Sequence, residues 1–107
     1  MITISVCMIV KDEEMVLERA LKSVERIADE IIIVDTGSTD RTKKIALKYT
    51  DKVYDFVWCD DFAKARNYSF SKATMDYCMW LDADDIISDS DQEGLINLKK
   101  LYQKILL

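Results

Sequence analysis

Asp82-Ala83-Asp84-Asp85 places three carboxylates within four residues, directly after the apolar run Tyr77 to Leu81. Left to themselves, such charges repel one another. A divalent cation that prefers oxygen removes the conflict, and Mg2+ or Mn2+ suits carboxylate ligands. The same ion bridges phosphate oxygens and offsets charge growing on a departing diphosphate. The competing reading is an acidic turn that caps the next helix. A place at the end of a strand favours the metal, because α/β sheets bind ligands there.

Two further groups carry chemistry. In Asp35-Thr36-Gly37-Ser38-Thr39-Asp40, glycine permits a tight turn and Ser38 or Thr39 is positioned to cap a helix. Asp35 differs, because it closes the apolar run Ile31 to Val34. A carboxylate there can accept hydrogen bonds from a base N–H or a ribose hydroxyl. Neither the dinucleotide fingerprint nor the P-loop pattern is present. In Asp60-Asp61-Phe62-Ala63-Lys64-Ala65-Arg66-Asn67, Phe62 and Arg66 fall on nearly the same helix face. An arginine on an apolar face needs a partner, since a buried unpaired charge is costly. That partner is either an internal Asp or an oxyanion of the site, and arginine suits both. Trp58 and Trp80 are read as core rather than as sugar-stacking platforms.

The elements that must position these groups follow from two hydrophobic periods. Ile2 to Val10 is a continuous apolar run, as a strand buried on both faces requires. Leu17, Ala20, Leu21, Val24, Ile27 and Ala28 recur at helical spacing, with Asp12 or a near neighbour as cap. Ile31 to Val34 reads as a second strand. Ile45, Ala46 and Tyr49 mark a short helix, and Val53 to Trp58 a third strand. Phe62, Ala65, Ser69, Phe70 and Ala73 mark a third helix, and Tyr77 to Leu81 a fourth strand. Leu95, Leu98, Leu101 or Tyr102, and Ile105 line a closing amphipathic helix. Buried strands joined by helices predict an α/β fold: a mostly parallel four-stranded sheet, Rossmann-like, flanked by helices. The polar groups fall after the strands, at the end where such sheets bind ligands.

Composition narrows the class. The 107 residues fit one domain, and a chain this short has little stability to spare. Half the residues are apolar and 33% are charged, as in a soluble globular protein. The net charge is −5 with Lys and Arg scattered, which argues against a nucleic-acid partner. Three cysteines are too few for a disulfide framework, and the absence of histidine argues against zinc. The odd thiol count points to a reducing compartment. The apolar run at the start is short and lacks a basic lead-in, so the cytoplasm is the expected location.

Together these segments resemble glycosyltransferase family 2, the inverting enzymes of the GT-A fold. The likeness runs from Ile4 to about Leu101. It is carried by Val6-Cys7-Met8-Ile9-Val10-Lys11-Asp12-Glu13, by Ile32 through Asp40, by Asp61 through Asn67, and by Trp80-Leu81-Asp82-Ala83-Asp84-Asp85, which is similar to the DxD motif. The flavour of these motifs is similar to bacterial members that often carry tetratricopeptide repeats. The resemblance implies a nucleotide-sugar donor, commonly a UDP-sugar, and Mn2+ or Mg2+ as cofactor. Its implied donor-binding set is Val10, Asp12, Glu13, Asp35, Gly37, Ser38, Arg66, Asp82 and Ala83, with Asp84 on the metal. Asp35 would contact the base, Asp12 or Glu13 would lie beside the nucleotide, Arg66 near the ribose or diphosphate, and Asp82 on the ribose. The chain departs from many relatives at Lys11-Asp12 and at Asp35-Thr36. Residues 1–107 are read as one truncated donor-binding domain, with the acceptor-binding half and its general base absent. The acceptor, whether glycan, lipid or protein, is left unassigned. The alternative reading is a non-catalytic module that binds nucleotide or self-associates through an exposed sheet. A metal-dependent phosphohydrolase or nucleotidyltransferase ranks below both, because the first strand lacks the pattern expected after it.

Overall fold

The computed structural model describes residues 2–106, with side chains described through Lys100. The elements alternate as β1 (Ile4–Val10), α1 (Leu17–Val24), β2 (Glu30–Asp35), α2 (Thr42–Leu47), β3 (Val53–Asp55), α3 (Phe62–Ser71), β4 (Tyr77–Trp80) and α4 (Asp89–Leu106). The four strands form one parallel sheet in the order β3-β2-β1-β4. The expected α/β architecture is therefore present, and the order reverses at β1. The crevice of such a sheet opens where the chain leaves β1 on one side for β2 and later returns on the other for β4.

β1 and β2 are the buried centre. Val6, Met8 and Val10 point to one face, where they meet Leu17, Ala20, Leu21 and Val24 of α1, Ile27 beyond it, and Ile31 and Ile33. The opposite face carries Cys7, Ile32 and Val34, all buried, and α3 packs against β1 and β2 there. Full burial stabilises each large aliphatic side chain by roughly 1.5–3 kcal/mol, so this double-faced packing fixes the strand register.

Four expectations need correction. β3 ends at Asp55 rather than Trp58. Among the described residues its one strand neighbour, β2, ends at Asp35, whose carbonyl accepts the Phe56 N–H at 2.9 Å, so Val57 and Trp58 run past the end of that partner. β4 is an edge strand, and Tyr77 and Cys78 are exposed rather than buried. Asp12 does not cap α1, which starts from Val16 without a side-chain cap, and neither Ser38 nor Thr39 caps α2. Those side chains bond across loops instead. Leu98 is half-exposed while Leu95 and Ile96 pack on the core. The inward place one turn beyond Leu95 belongs to Lys99, whose ammonium donates to the Ile27 carbonyl at 3.1 Å and to Asp29 at 2.7 Å. Leu101, Tyr102 and Ile105 lie outside the described side chains. Among the described residues no helix is long and apolar enough to cross a membrane.

Candidate functional site at the ends of the strands

Two loops at the C-terminal end of the sheet are laced together. The Asp12 N–H donates to Ser38 Oγ at 2.9 Å, and the Thr39 N–H donates to Asp12 Oδ1 at 2.8 Å. Glu13 N–H donates to Thr42 Oγ1 at 2.7 Å. These bonds hold Asp12 in the left-handed region, at φ 51°, which Asp tolerates better than most residues. They also place Lys11, Asp12 and Glu13 directly beyond Val10, at the mouth of the crevice.

Gly37 follows at φ 108°, where a side chain would strain the backbone although a Cβ there would meet no atom within 4 Å. The turn aims the N–H groups of Gly37 and Ser38 at Asp35 Oδ1, at 2.9 and 2.8 Å. The other oxygen, Oδ2, is buried and accepts no hydrogen bond. A buried carboxylate oxygen without a donor is costly, so this position suits a ligand that supplies one.

Beside it, Ile9, Val10, Lys11, Glu13, Thr36, Trp58 and Phe62 line a cleft of about 270 Å³. Here the expectation for Trp58 is corrected: the ring is 41% exposed and forms a wall of this cleft rather than part of the core. Its indole N–H donates to Asp60 Oδ1 at 2.9 Å. Trp80 is half-buried, edge-to-face against Phe62 and Phe70, closer to its expected role. Its indole N–H donates to Asp82 Oδ1 at 3.1 Å.

Beyond β4, buried Ala83 anchors the acidic turn, and the Asp85 N–H closes it on the Asp82 carbonyl at 3.0 Å. Asp82, Asp84 and Asp85 each present a carboxylate oxygen, all within 4.8 Å of one another and all exposed. The chemistry of this donor set fits a hard divalent cation. Glu13 links the two halves of the site. Burial raises its pKa first, and the charges of Asp84, Asp40, Asp12 and Asp82 raise it further. The loops after β1, β2 and β4 thus bring their acids together.

Arg66 is exposed, with its guanidinium 6.0 Å from the centre of the Phe62 ring, and it makes no ion pair with a described residue. The internal Asp partner considered from sequence is therefore not seen. Ile9, Thr36 and the two aromatic walls join the site beyond the residues expected. Their signal in the sequence was position alone: each follows or ends a strand on the same side of the sheet, or opens α3.

A larger groove, about 620 Å³, lies at the opposite end, where Asp29, Glu30 and Lys52 are among its lining residues. Asp29 and Glu30 are already bonded there. Glu30 accepts from Ser5 Oγ at 2.8 Å, from Thr74 and from the Lys52 ammonium, so this end is a structural network.

Known proteins are similar to this chain in sequence or in fold. A TPR repeat-containing protein of Synechococcus elongatus is 47% identical over 85 residues, which are 79% of this chain and 21% of that protein. The structure of S. aureus TarS superposes with a TM-score of 0.79 at 24% identity, covering 95% of this chain and 32% of the other, which is a likeness of fold. M. tuberculosis glucosyl-3-phosphoglycerate synthase, solved in complex with Mg2+ and UDP, gives a TM-score of 0.68 at 26% identity, covering 79% of this chain and 34% of the synthase. The chain thus spans only about a fifth to a third of these proteins. The model of the family described as glycosyl transferase family 2 matches residues 5–104, and the chain belongs to that family.

Proposed function

We propose that the chain is the donor-binding part of an inverting glycosyltransferase that uses a UDP-sugar and a divalent cation. The observation that carries this reading is the acidic turn after β4, where Asp82, Asp84 and Asp85 present carboxylate oxygens within 4.8 Å of one another at the crevice of the sheet. Acids gathered without basic partners suit a site whose ligand brings a cation. The mycobacterial synthase, solved with Mg2+ and UDP and also with Mn2+ and UDP-glucose, supports the same assignment.

In this reading Asp84 holds Mn2+ or Mg2+, with Asp82 and Asp85 beside it. Such an ion, when bound, offsets negative charge on the diphosphate. Trp80 holds one oxygen of Asp82 through its indole N–H, which leaves the other oxygen for the ribose or the cation. Asp35 Oδ2 accepts the N–H of the base, while Gly37 and Ser38 fix that carboxylate through Oδ1. Val10 and Ala83 are the buried ends on which the two loops rest, and Asp12 holds the β1 loop against the β2 loop. Arg66 extends from α3 toward the diphosphate. The base that deprotonates the acceptor hydroxyl is assigned to no residue of this chain, and the acceptor stays open among glycan, lipid and protein. Among the described residues β4 takes strand pairing from β1 alone, and an edge strand of this kind favours self-association of the chain.

Thermal unfolding against a panel of nucleoside diphosphates tests the reading. UDP at about 100 times its dissociation constant should add roughly 2.7 kcal/mol of stability in Mn2+. It should add little in EDTA. Equal stabilisation by UDP with and without metal, or none in either case, would rule the proposal out.

A further inference from the structure

We infer that Trp58 is the surface on which the base of the donor stacks, a role that rests on the donor-binding reading above. Three observations carry it. Trp58 is 41% exposed although it is one of the largest apolar side chains, and it lines the cleft. The ring is held: its N–H is tied to Asp60 Oδ1 at 2.9 Å, so little side-chain freedom remains to be lost when a flat ligand settles on it. The cleft also has a base end. Val10 and Thr36 line it with Trp58, and Val10 is the register partner of Asp35, the residue with a buried unbonded oxygen.

A planar heterocycle needs two things that this corner supplies together: a flat apolar face, and an acceptor for its N–H. Phe62, 49% exposed, closes the opposite part of the wall and is itself supported edge-on by Trp80. The diphosphate end lies with Asp82, Asp84 and Asp85, so the aromatic wall is left for the base. Lys11, at the end of β1, lines the same cleft but has no ring to offer.

Calorimetry on the full chain with Mn2+ tests this, using UDP and inorganic pyrophosphate as probes and comparing wild type with W58F, W58L and D84N. W58L should bind UDP roughly tenfold more weakly, as expected for the loss of one base–aromatic stack. Its pyrophosphate affinity should be unchanged, and W58F should recover most of the UDP affinity. UDP should also quench tryptophan fluorescence more strongly in wild type than in W58F, where only Trp80 remains to report, a difference that a purely structural residue would not produce. Equal UDP affinity in W58L and wild type, with D84N defective, would overturn this inference and leave the donor reading intact. An equal loss for UDP and pyrophosphate in W58L would assign Trp58 to structure and overturn it too. UDP binding that D84N leaves untouched would instead break the donor reading.

Discussion

Where the strands begin, Glu30 accepts hydrogen bonds from Ser5 and Thr74 and an ion pair from Lys52, and Asp29 pairs with Lys99 at 2.7 Å. Where the strands finish, Asp12, Glu13, Asp35, Asp82, Asp84 and Asp85 make no ion pair among the described residues. Both ends are acidic, but only one is neutralised from within. At the first end burial would raise the pKa of Glu30, yet the Lys52 ammonium and the donors of Thr74 and Ser5 outweigh it and lower the pKa to about 2. At the second end burial and neighbouring acids push Glu13 the other way. The contrast separates acids that hold the fold from acids left without an ion pair among the described residues, which the proposed function assigns to a ligand.

The sharpest way to break this contrast is at Asp84. Asp84→Asn should lower Mn2+-dependent UDP affinity by at least about 100-fold, because losing a metal ligand exceeds the 10–100-fold typical of outer-shell changes. Its melting temperature should not fall, since a like-charge contact is relieved. Calorimetry and a thermal scan on the same sample measure both. Glu30→Gln should do the reverse: a loss of about 2 kcal/mol in denaturant unfolding, with UDP affinity of the folded chain unchanged.

Acid sharpens the same point. A carboxylate whose pKa is lowered by folding stabilises the native state above its unfolded value and loses that contribution as pH falls through its folded value. For Glu30 the window runs from its ordinary 4.5 down to about 2. Urea midpoints measured across that range should fall for wild type and change less for Glu30→Gln. The smallest effect is expected at Gly37. Gly37→Ala places a side chain at φ 108° and should cost about 1 kcal/mol, with a few-fold weaker UDP binding as Asp35 loses its clamp.

The sequence made the centre of this fold readable because β1 and β2 are buried on both faces, so apolar runs mark them directly. The acidic turn was readable because its three carboxylates are neighbours in the chain. What stayed hidden depends on distant partners. The length of β3 is set by where β2 stops, and that put Trp58 in a cleft instead of the core. Asp12 and Ser38 look like helix caps locally, yet they bond to each other's loops 26 residues apart. Glu30 passes for an ordinary acid at a strand start, because its partners Lys52 and Thr74 come from later segments.

Titration of Mn2+ followed by electron paramagnetic resonance reaches the central claim most directly. The free-ion signal should be depleted to one Mn2+ per wild-type chain, more tightly when UDP is present, and the same in Glu30→Gln. It should stay undiminished in Asp84→Asn. An Asp84→Asn chain that depletes the signal as wild type does would contradict the account.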